Sequence, residues 1–237
     1  MLRRRRREEA GRAAQAAVPA AQHRGPWDAA DDYPQSERID CGSLLVPVRE
    51  GFDVEINMAD VEGSWVAVVN GESGMQLQAF AAPRSGCLWD EVRSEIAENV
   101  AESGGSSHEE PGSHGTEVRA QVPIGEVGEA SETGGAGQRL HPIRFLGFDG
   151  PRWFLRGVIS GPAATERDLS APFDDIFADV VVVRGDYPAP QRQLLDIRLP
   201  EEMRQAIEAE AAQAEPDEAG WSLRDPFTRG PEITETR

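Results

Sequence analysis

The stretch MQLQAFAAPRSGCLWDEVRSEIAENV, residues 75–100, decides the fold because its pattern predicts a strand, a tight turn and an amphipathic helix that follow one another directly, with no long loop between them. Apolar residues alternate along Met75–Ala81, which predicts a β-strand with one buried face, although Phe80 makes the second face only partly polar. From Leu88 the apolar spacing changes to three and four residues, which predicts a helix that packs one stripe against a sheet. Ser85 is predicted to cap this helix through its hydroxyl.

Strands and a second helix are predicted on both sides of this stretch. Phe52–Met58 alternates apolar and polar residues, and Pro142–Ser160 contains an Asp149-Gly150 turn between two apolar runs, which indicates a central hairpin. A second helix is predicted with Ser170 as its N-cap and Pro172 in its first turn. Further strands are predicted at residues 44–48, 64–70 and 117–124.

Three segments have weaker patterns. Ser103–Gly115 is rich in Gly, Ser and Glu, which predicts a flexible loop, and we interpret His108 and His114 as solvated loop residues rather than metal ligands. Residues 125–138 are of low complexity and are predicted to form a mobile insertion. Val180–Arg184 either ends the second helix or forms an edge strand, and the pattern does not decide between them.

Together these patterns predict an α+β fold, in which an antiparallel sheet carries two packed helices and is flanked by disordered tails. A single domain is expected at residues 38–200. Residues 1–37 are predicted to be a disordered basic arm, and residues 201–237 a helix followed by a disordered acidic tail.

Composition limits the possible partners. The chain has 237 residues and a formal net charge of −18, which argues against a nucleic-acid-binding domain and against attraction to anionic lipid. A weak nucleic-acid contact is open only to the basic run Arg3, Arg4, Arg5, Arg6 and Arg7. The absence of a long apolar run predicts no membrane association, and two cysteines without a disulfide or zinc pattern predict a cytoplasmic protein.

No motif for a nucleophile, a phosphate loop or a metal site is present, so we expect no catalytic residues, no cofactor and no metal. An anion-binding hypothesis rests on the predicted helix start at Arg84, Ser85 and Gly86 and on the hairpin arginines Arg144, Arg152 and Arg156. The simpler interpretation is a capped helix at the first place and ion pairs with local acids at the second. Cys87, next to the helix start, is either a thiol of lowered pKa or a packed small apolar residue.

The runs QLQAFAAPRSGCLWDEVRSEI (Gln76–Ile96) and DGPRWFLRGV (Asp149–Val158) resemble an uncharacterised family of actinobacterial proteins that shares a domain of unknown function. GPWD (Gly25–Asp28) and FADVVVVRG (Phe177–Gly185) extend the resemblance over residues 25–200. The resemblance implies no catalytic residues. The order of elements is also loosely similar to Mog1/PsbP-like domains, which implies an adaptor or assembly factor by analogy of fold.

We therefore expect a non-catalytic protein-binding or assembly module whose partner is another protein. The alternative is a binding protein or enzyme for a small anionic ligand, such as a phosphate or nucleotide, that uses the Arg84-Ser85-Gly86 helix start. A second alternative is a weak nucleic-acid contact through the Arg3–Arg7 arm.

Overall fold

The computed structural model describes residues 25–58, 63–84, 87–124, 139–201 and 203–205. The strands are β1 Trp27–Asp28, β2 Arg38–Asp40, β3 Leu44–Pro47, β4 Asp53–Asn57, β5 Trp65–Asn70, β6 Ser73–Ala81, β7 Ser106–Gly112, β8 Gly115–Ile124, β9 Arg139–Gly150, β10 Trp153–Ser160 and β11 Val181–Val182. The helices are α1 Leu88–Glu102 and α2 Arg167–Asp179, and a short 3-10 helix spans Pro162–Ala164.

The main sheet has seven antiparallel strands in the order β4-β5-β6-β10-β9-β8-β7. Strand β10 lies in the middle, where Phe154 is opposite Phe80 of β6 and Asp149 of β9. The turn between these strands is at Pro151-Arg152, two residues beyond the predicted Asp149-Gly150, because Asp149 and Gly150 still pair with β10. The hairpin joins two central strands, as its apolar flanks predict. The predicted α+β fold, with an antiparallel sheet and two packed helices, is confirmed.

Helix α1 covers one face of this sheet. Its buried residues are Leu88, Trp89, Ile96 and Val100, which follow the apolar spacing of the sequence. They pack on Val118 and Phe154 of the sheet. Burial of a large apolar side chain contributes about 1.5–3 kcal/mol, so this stripe is enough to fix the orientation of the helix.

The opposite face of the sheet carries the larger core, which is covered by α2 and a small second sheet. Phe173, Ile176 and Phe177 of α2 are buried against Leu77 and Leu155. The small sheet has the order β1-β11-β3-β2, in which only β1 and β11 run parallel. Because α2 ends at Asp179, the undecided Val180–Arg184 segment contributes a strand, β11, directly after the helix.

Two further local predictions are wrong. Helix α2 begins at Arg167 rather than after Ser170, so Ser170 lies inside the helix and Pro172 is beyond the first turn. Ser170 is buried there and accepts a hydrogen bond from Arg144, a tertiary contact that replaces the predicted cap. Most of the predicted Ser103–Gly115 loop forms β7, because an edge strand is held by backbone pairing to β8 and needs no apolar alternation.

The described chain begins at Gly25, ahead of the boundary predicted at residue 38, and β1 adds this segment to the small sheet. Residues 1–24, the 125–138 insertion and residues 206–237 lie outside the described residues. After Pro200 the structure describes residues 201 and 203–205, which are helical. None of the described helices is long and apolar enough to cross a membrane.

Candidate functional site

The start of α1 is capped from the sheet rather than by its own sequence. Cys87 holds the N-cap position without a side-chain capping bond, so the prediction that Ser85 caps the helix is wrong. The carboxylate of Asp149 accepts hydrogen bonds from the backbone N–H groups of Leu88, at 2.9 Å, and Trp89, at 3.2 Å. A carboxylate at this position also complements the helix dipole.

This cap bears on the predicted anion site. Arg84 is exposed, whereas Ser85 and Gly86 lie outside the described residues. An external anion at this helix start would meet the Asp149 carboxylate on the first amides of α1 instead of free N–H groups. The anion site at these three residues stays a prediction, and the geometry around Asp149 works against it.

Cys87 is neither a packed apolar residue nor an activated thiol. Its side chain is exposed, and its thiol donates to Oδ2 of Asp149 over 3.0 Å. This hydrogen bond, helped by partial desolvation and by the negative charge of Asp149, raises the pKa of Cys87 to about 11. The thiol is therefore a poor nucleophile near neutral pH.

Arg144 belongs to an ion-pair network inside the fold. It is only 2% exposed, and its guanidinium contacts Oε2 of Glu117 at 2.6 Å and Oδ1 of Asp174 at 2.8 Å. Burial on its own would lower the pKa of Arg144, but the two carboxylates raise it. Arg119 contacts the same Glu117 at 3.1 Å. Arg144 thus has local acids as partners, as the simpler interpretation predicts.

A polar cavity of about 500 Å³ lies beside this network, between the β7–β8 hairpin and α2. His114 contacts the carbonyl oxygen of Asp174 at 3.0 Å and packs on Phe177, so it is not a solvated loop residue, whereas His108 is exposed. No group of side chains that could hold a metal ion occurs in the described part of the chain. The main charges of this cavity already neutralise one another, which indicates a structural role.

The three hairpin arginines do not form one patch. Arg144 lies opposite Ile159, on the sheet face that α2 covers, whereas Arg156 shares the other face with Phe154. Arg152 sits at the β9–β10 turn with a φ of 64°, and its carbonyl oxygen accepts from the backbone of Ala82. Of the three, Arg156 is the one that borders a groove beneath α1.

We call this cavity, of about 160 Å³, the α1 groove. Its lining residues are Phe80, Leu88, Val92, Glu95, Phe154, Arg156 and Arg192. The aromatic rings of Phe80 and Phe154 stack with their centroids 6.0 Å apart, and they come from opposite positions of β6 and β10. The groove therefore combines an aromatic surface with charged residues.

Arg156 is the unusual residue of the α1 groove. Its guanidinium carbon lies 5.4 Å from the centre of the Phe80 ring, and Nη2 donates to the side chain of Gln78. Gln78 is itself oriented by a bond to the carbonyl oxygen of Ser64 at 3.2 Å. Arg156 forms no ion pair with any residue that the structure describes, and burial without such a pair lowers its pKa.

Arg192 joins the two walls of the α1 groove. It precedes a short segment that runs beside β6, where the N–H of Leu195 donates to the carbonyl oxygen of Ala79 at 2.8 Å. The Arg192 guanidinium contacts Glu95 at 2.6 Å and Glu91 at 2.8 Å, both on α1. The charge of Arg192 is thus neutralised, whereas that of Arg156 is not.

Sequence reasoning selected Arg156 but missed its neighbours. Phe80 could have been recognised, since it is an apolar residue on the side of β6 where the alternation predicts polar residues. In the structure Phe80 lines the α1 groove. Gln78 is opposite Arg156 only because of the strand register. Arg192 lies in a segment with no regular pattern, so nothing local could have linked it to α1.

Comparison with known proteins gives one match. The family described as a protein of unknown function, DUF3710, matches residues 25–206. No curated protein and no solved structure matches the chain. The likeness to Mog1/PsbP-like domains accordingly stays a prediction.

Proposed function

The chain belongs to this family, DUF3710, which carries no assigned activity, and we propose that it is a non-catalytic protein-binding module that holds an anionic part of a partner protein in the α1 groove. The groove offers aromatic surface and a guanidinium, groups that bind a partner rather than react with it. The two free thiols are in keeping with a cytoplasmic setting.

The proposal depends on one observation, which is that Arg156 is partly buried and has no ion pair among the described residues. A partly buried cation is costly unless an anion compensates it, and within the described chain Arg156 has only the face of the Phe80 ring and the Gln78 side chain as partners. Arg156 has no carboxylate partner there, although the formal net charge of the chain is −18 and acids are abundant. A carboxylate from a partner would supply the missing charge and would gain strength from partial desolvation.

The aromatic surface defines the rest of the partner. Phe80 and Phe154 lie next to the guanidinium, so an apolar group beside the carboxylate would be buried by the same binding event. Such a partner differs from a nucleotide, whose phosphates carry more charge than a single guanidinium can neutralise. A polypeptide segment with an acidic group next to an apolar side chain fits both surfaces.

The test is a selection of random peptides displayed on phage against the full chain. The peptides are displayed in two libraries, one as internal segments and one with a free C-terminus, and we expect the enriched peptides to carry a carboxylate beside an apolar residue and to lose affinity about tenfold or more on Arg156→Met. Arg167→Met is the control, because Arg167, like Arg156, has no ion pair in the described chain, whereas it is exposed and lies at the start of α2, beside the polar cavity and outside the α1 groove. Arg84→Met tests the helix-start hypothesis in the same assay.

Circular dichroism and thermal melts of each variant show whether the fold is kept. Peptides that bind Arg156→Met as well as they bind the wild-type protein would remove the α1 groove as the site. Loss of binding on Arg84→Met alone would move the site to the helix start. A selection that enriches no peptide would contradict the proposal as a whole.

A further inference from the structure

The charges around the α1 groove admit a single negative charge. The lining of the groove contains two arginines and one carboxylate, and Glu95 pairs with Arg192, which leaves Arg156 as the cation without a carboxylate partner in the described groove. Glu95 also lines the groove and would repel a second negative charge on a ligand. A monoanion such as a carboxylate therefore fits better than a phosphate dianion.

The groove is also small. Its volume of about 160 Å³ is below the range of roughly 300–1,000 Å³ that is typical of sites for drug-sized ligands. This space suits one apolar side chain, which would contact Phe80 and Phe154. The occupant is thus one residue rather than a long segment.

The distance between the ionic and the apolar surface restricts how that residue is built. The guanidinium of Arg156 lies over the Phe80 ring in a cation–π contact, with its carbon 5.4 Å from the ring centre, so an occupant on Arg156 and on the remaining aromatic surface must carry its carboxylate and apolar group close together. In the last residue of a polypeptide, the carboxylate and the side chain branch from the same Cα atom. In an internal segment, the acidic and the apolar side chains belong to two residues.

The walls of the groove favour a chain end as well. The ion pair of Arg192 with Glu95, 2.6 Å long, connects the segment beside β6 to α1, so a chain that ran straight through the groove would have to break it. A chain end can enter the groove and stop there, so it can bind without breaking this ion pair. Capture of a terminal carboxylate is a known mode of peptide recognition.

We propose that the α1 groove binds the C-terminal residue of a partner protein, with the terminal carboxylate on Arg156 and an aliphatic or aromatic last side chain on Phe80 and Phe154. Arg156 is held for this role by Gln78, which occupies Nη2 and leaves the other donors of the guanidinium without a partner in the described chain. This inference rests on the proposed function and specifies which part of the partner is recognised.

The experiment uses fluorescein-labelled peptides with a common Gly/Ser body and a C-terminal Leu, titrated into the full chain by fluorescence anisotropy and by NMR. The probes are the free acid, the same peptide with a C-terminal amide, and a free acid that ends in Ser. We expect the amide and the Ser peptide each to bind about tenfold or more weakly than the Leu acid. On Arg156→Met, the difference between acid and amide should disappear, whereas Arg167→Met should preserve it.

Each outcome decides the matter. If acid and amide bind equally well, the terminal carboxylate is not recognised and the C-terminal assignment is overturned. If none of the peptides shifts the NMR signals of the groove, the C-terminal assignment also fails, and the peptide selection with internal segments then decides whether the proposed function survives. If 4-methylpentanoate binds as tightly as the Leu peptide, the ligand is a small free acid and the C-terminal assignment is overturned. The comparison of acid with amide uses the wild-type protein, so it does not depend on the folding of a variant.

Discussion

Oδ1 of Asp149 accepts a hydrogen bond from the backbone N–H of Leu88 at 2.9 Å, so the end of strand β9 caps helix α1 from a distant part of the chain. Leu88 belongs to the first run that carries the family resemblance, and Asp149 begins the second. The two runs also pair along β6 and β10, and this additional contact fixes the start of α1 relative to the sheet and with it the wall of the α1 groove.

Loss of this cap should destabilise the protein. We expect Asp149→Ala to lower the free energy of unfolding by about 1–2 kcal/mol, because two helix N–H groups lose their acceptor. Urea denaturation gives the measurement. Asp186→Ala is the control, since Asp186 is an exposed aspartate away from the helix start, and it should be close to neutral. Equal effects of the two substitutions would show that the cap contributes nothing.

The same carboxylate should suppress the reactivity of Cys87. With a pKa raised to about 11, the thiol is largely protonated near neutral pH, and its alkylation by iodoacetamide should increase steadily up to that pH. Asp149→Asn removes the charged acceptor and should lower the pKa, so the rate at pH 8 should rise by roughly tenfold or more. The experiment is done in a Cys41→Ser background, so that only Cys87 reports. An unchanged rate would contradict the role of Asp149.

The buried pair of Arg144 and Glu117 should be sensitive to removal of one partner. Glu117→Leu leaves the Arg144 guanidinium in the interior with Asp174 as its remaining carboxylate, and we expect a loss of about 3 kcal/mol in urea denaturation. The double variant Glu117→Leu, Arg144→Met should recover part of this loss, because it removes the guanidinium that lost its partner, while Asp174 in turn loses Arg144. A double variant as unstable as the single one would show that packing, rather than charge, sets the cost.

Trp89 should be among the most costly positions to truncate. Its ring stacks on Phe154 with the centroids 5.8 Å apart, and its indole N–H donates to the carbonyl oxygen of Thr116 at 2.7 Å. We expect Trp89→Ala to cost about 3–5 kcal/mol. Gly147 reports on the same contact from the sheet, since a Cβ atom there would lie 2.2 Å from the Trp89 ring. A loss below about 1 kcal/mol for Trp89→Ala would mean that the packing of α1 is misassigned.

The fold was predictable from the sequence where the spacing of apolar residues within one segment determines the secondary structure of that segment. Apolar residues alternate along Met75–Ala81, which predicts strand β6, and from Leu88 they recur every three or four residues, which predicts helix α1. In both segments the local spacing of apolar residues shows that one face is buried. The cap of α1 was not predictable, because Ser85 and Asp149 are both good capping residues and only tertiary structure brings Asp149 to the helix. Strand β7 was missed because it is held by backbone pairing rather than by an apolar face.

The residues of the candidate site likewise fall into those that the sequence indicated and those that only the tertiary structure revealed. Arg156 and Phe80 were visible as an arginine on a central strand and as an exception to the β6 pattern. That Arg144 has carboxylate partners while Arg156 lacks them in the described chain depends on which residues α2 and α1 place over each sheet face. Arg192 contacts Glu95 although the two are 97 residues apart in the sequence, so no local pattern could have predicted this pair.

The parallel pairing of β1 with β11 has a consequence for biosynthesis. Trp27 lies opposite Val181, so β1, the first of the described strands to leave the ribosome, must wait for β11, the last of them, before the small sheet can close. The main sheet and α1 have by then been translated in full. Closure of the small sheet is therefore a late event of co-translational folding, and a chain that stops before residue 181 cannot complete it.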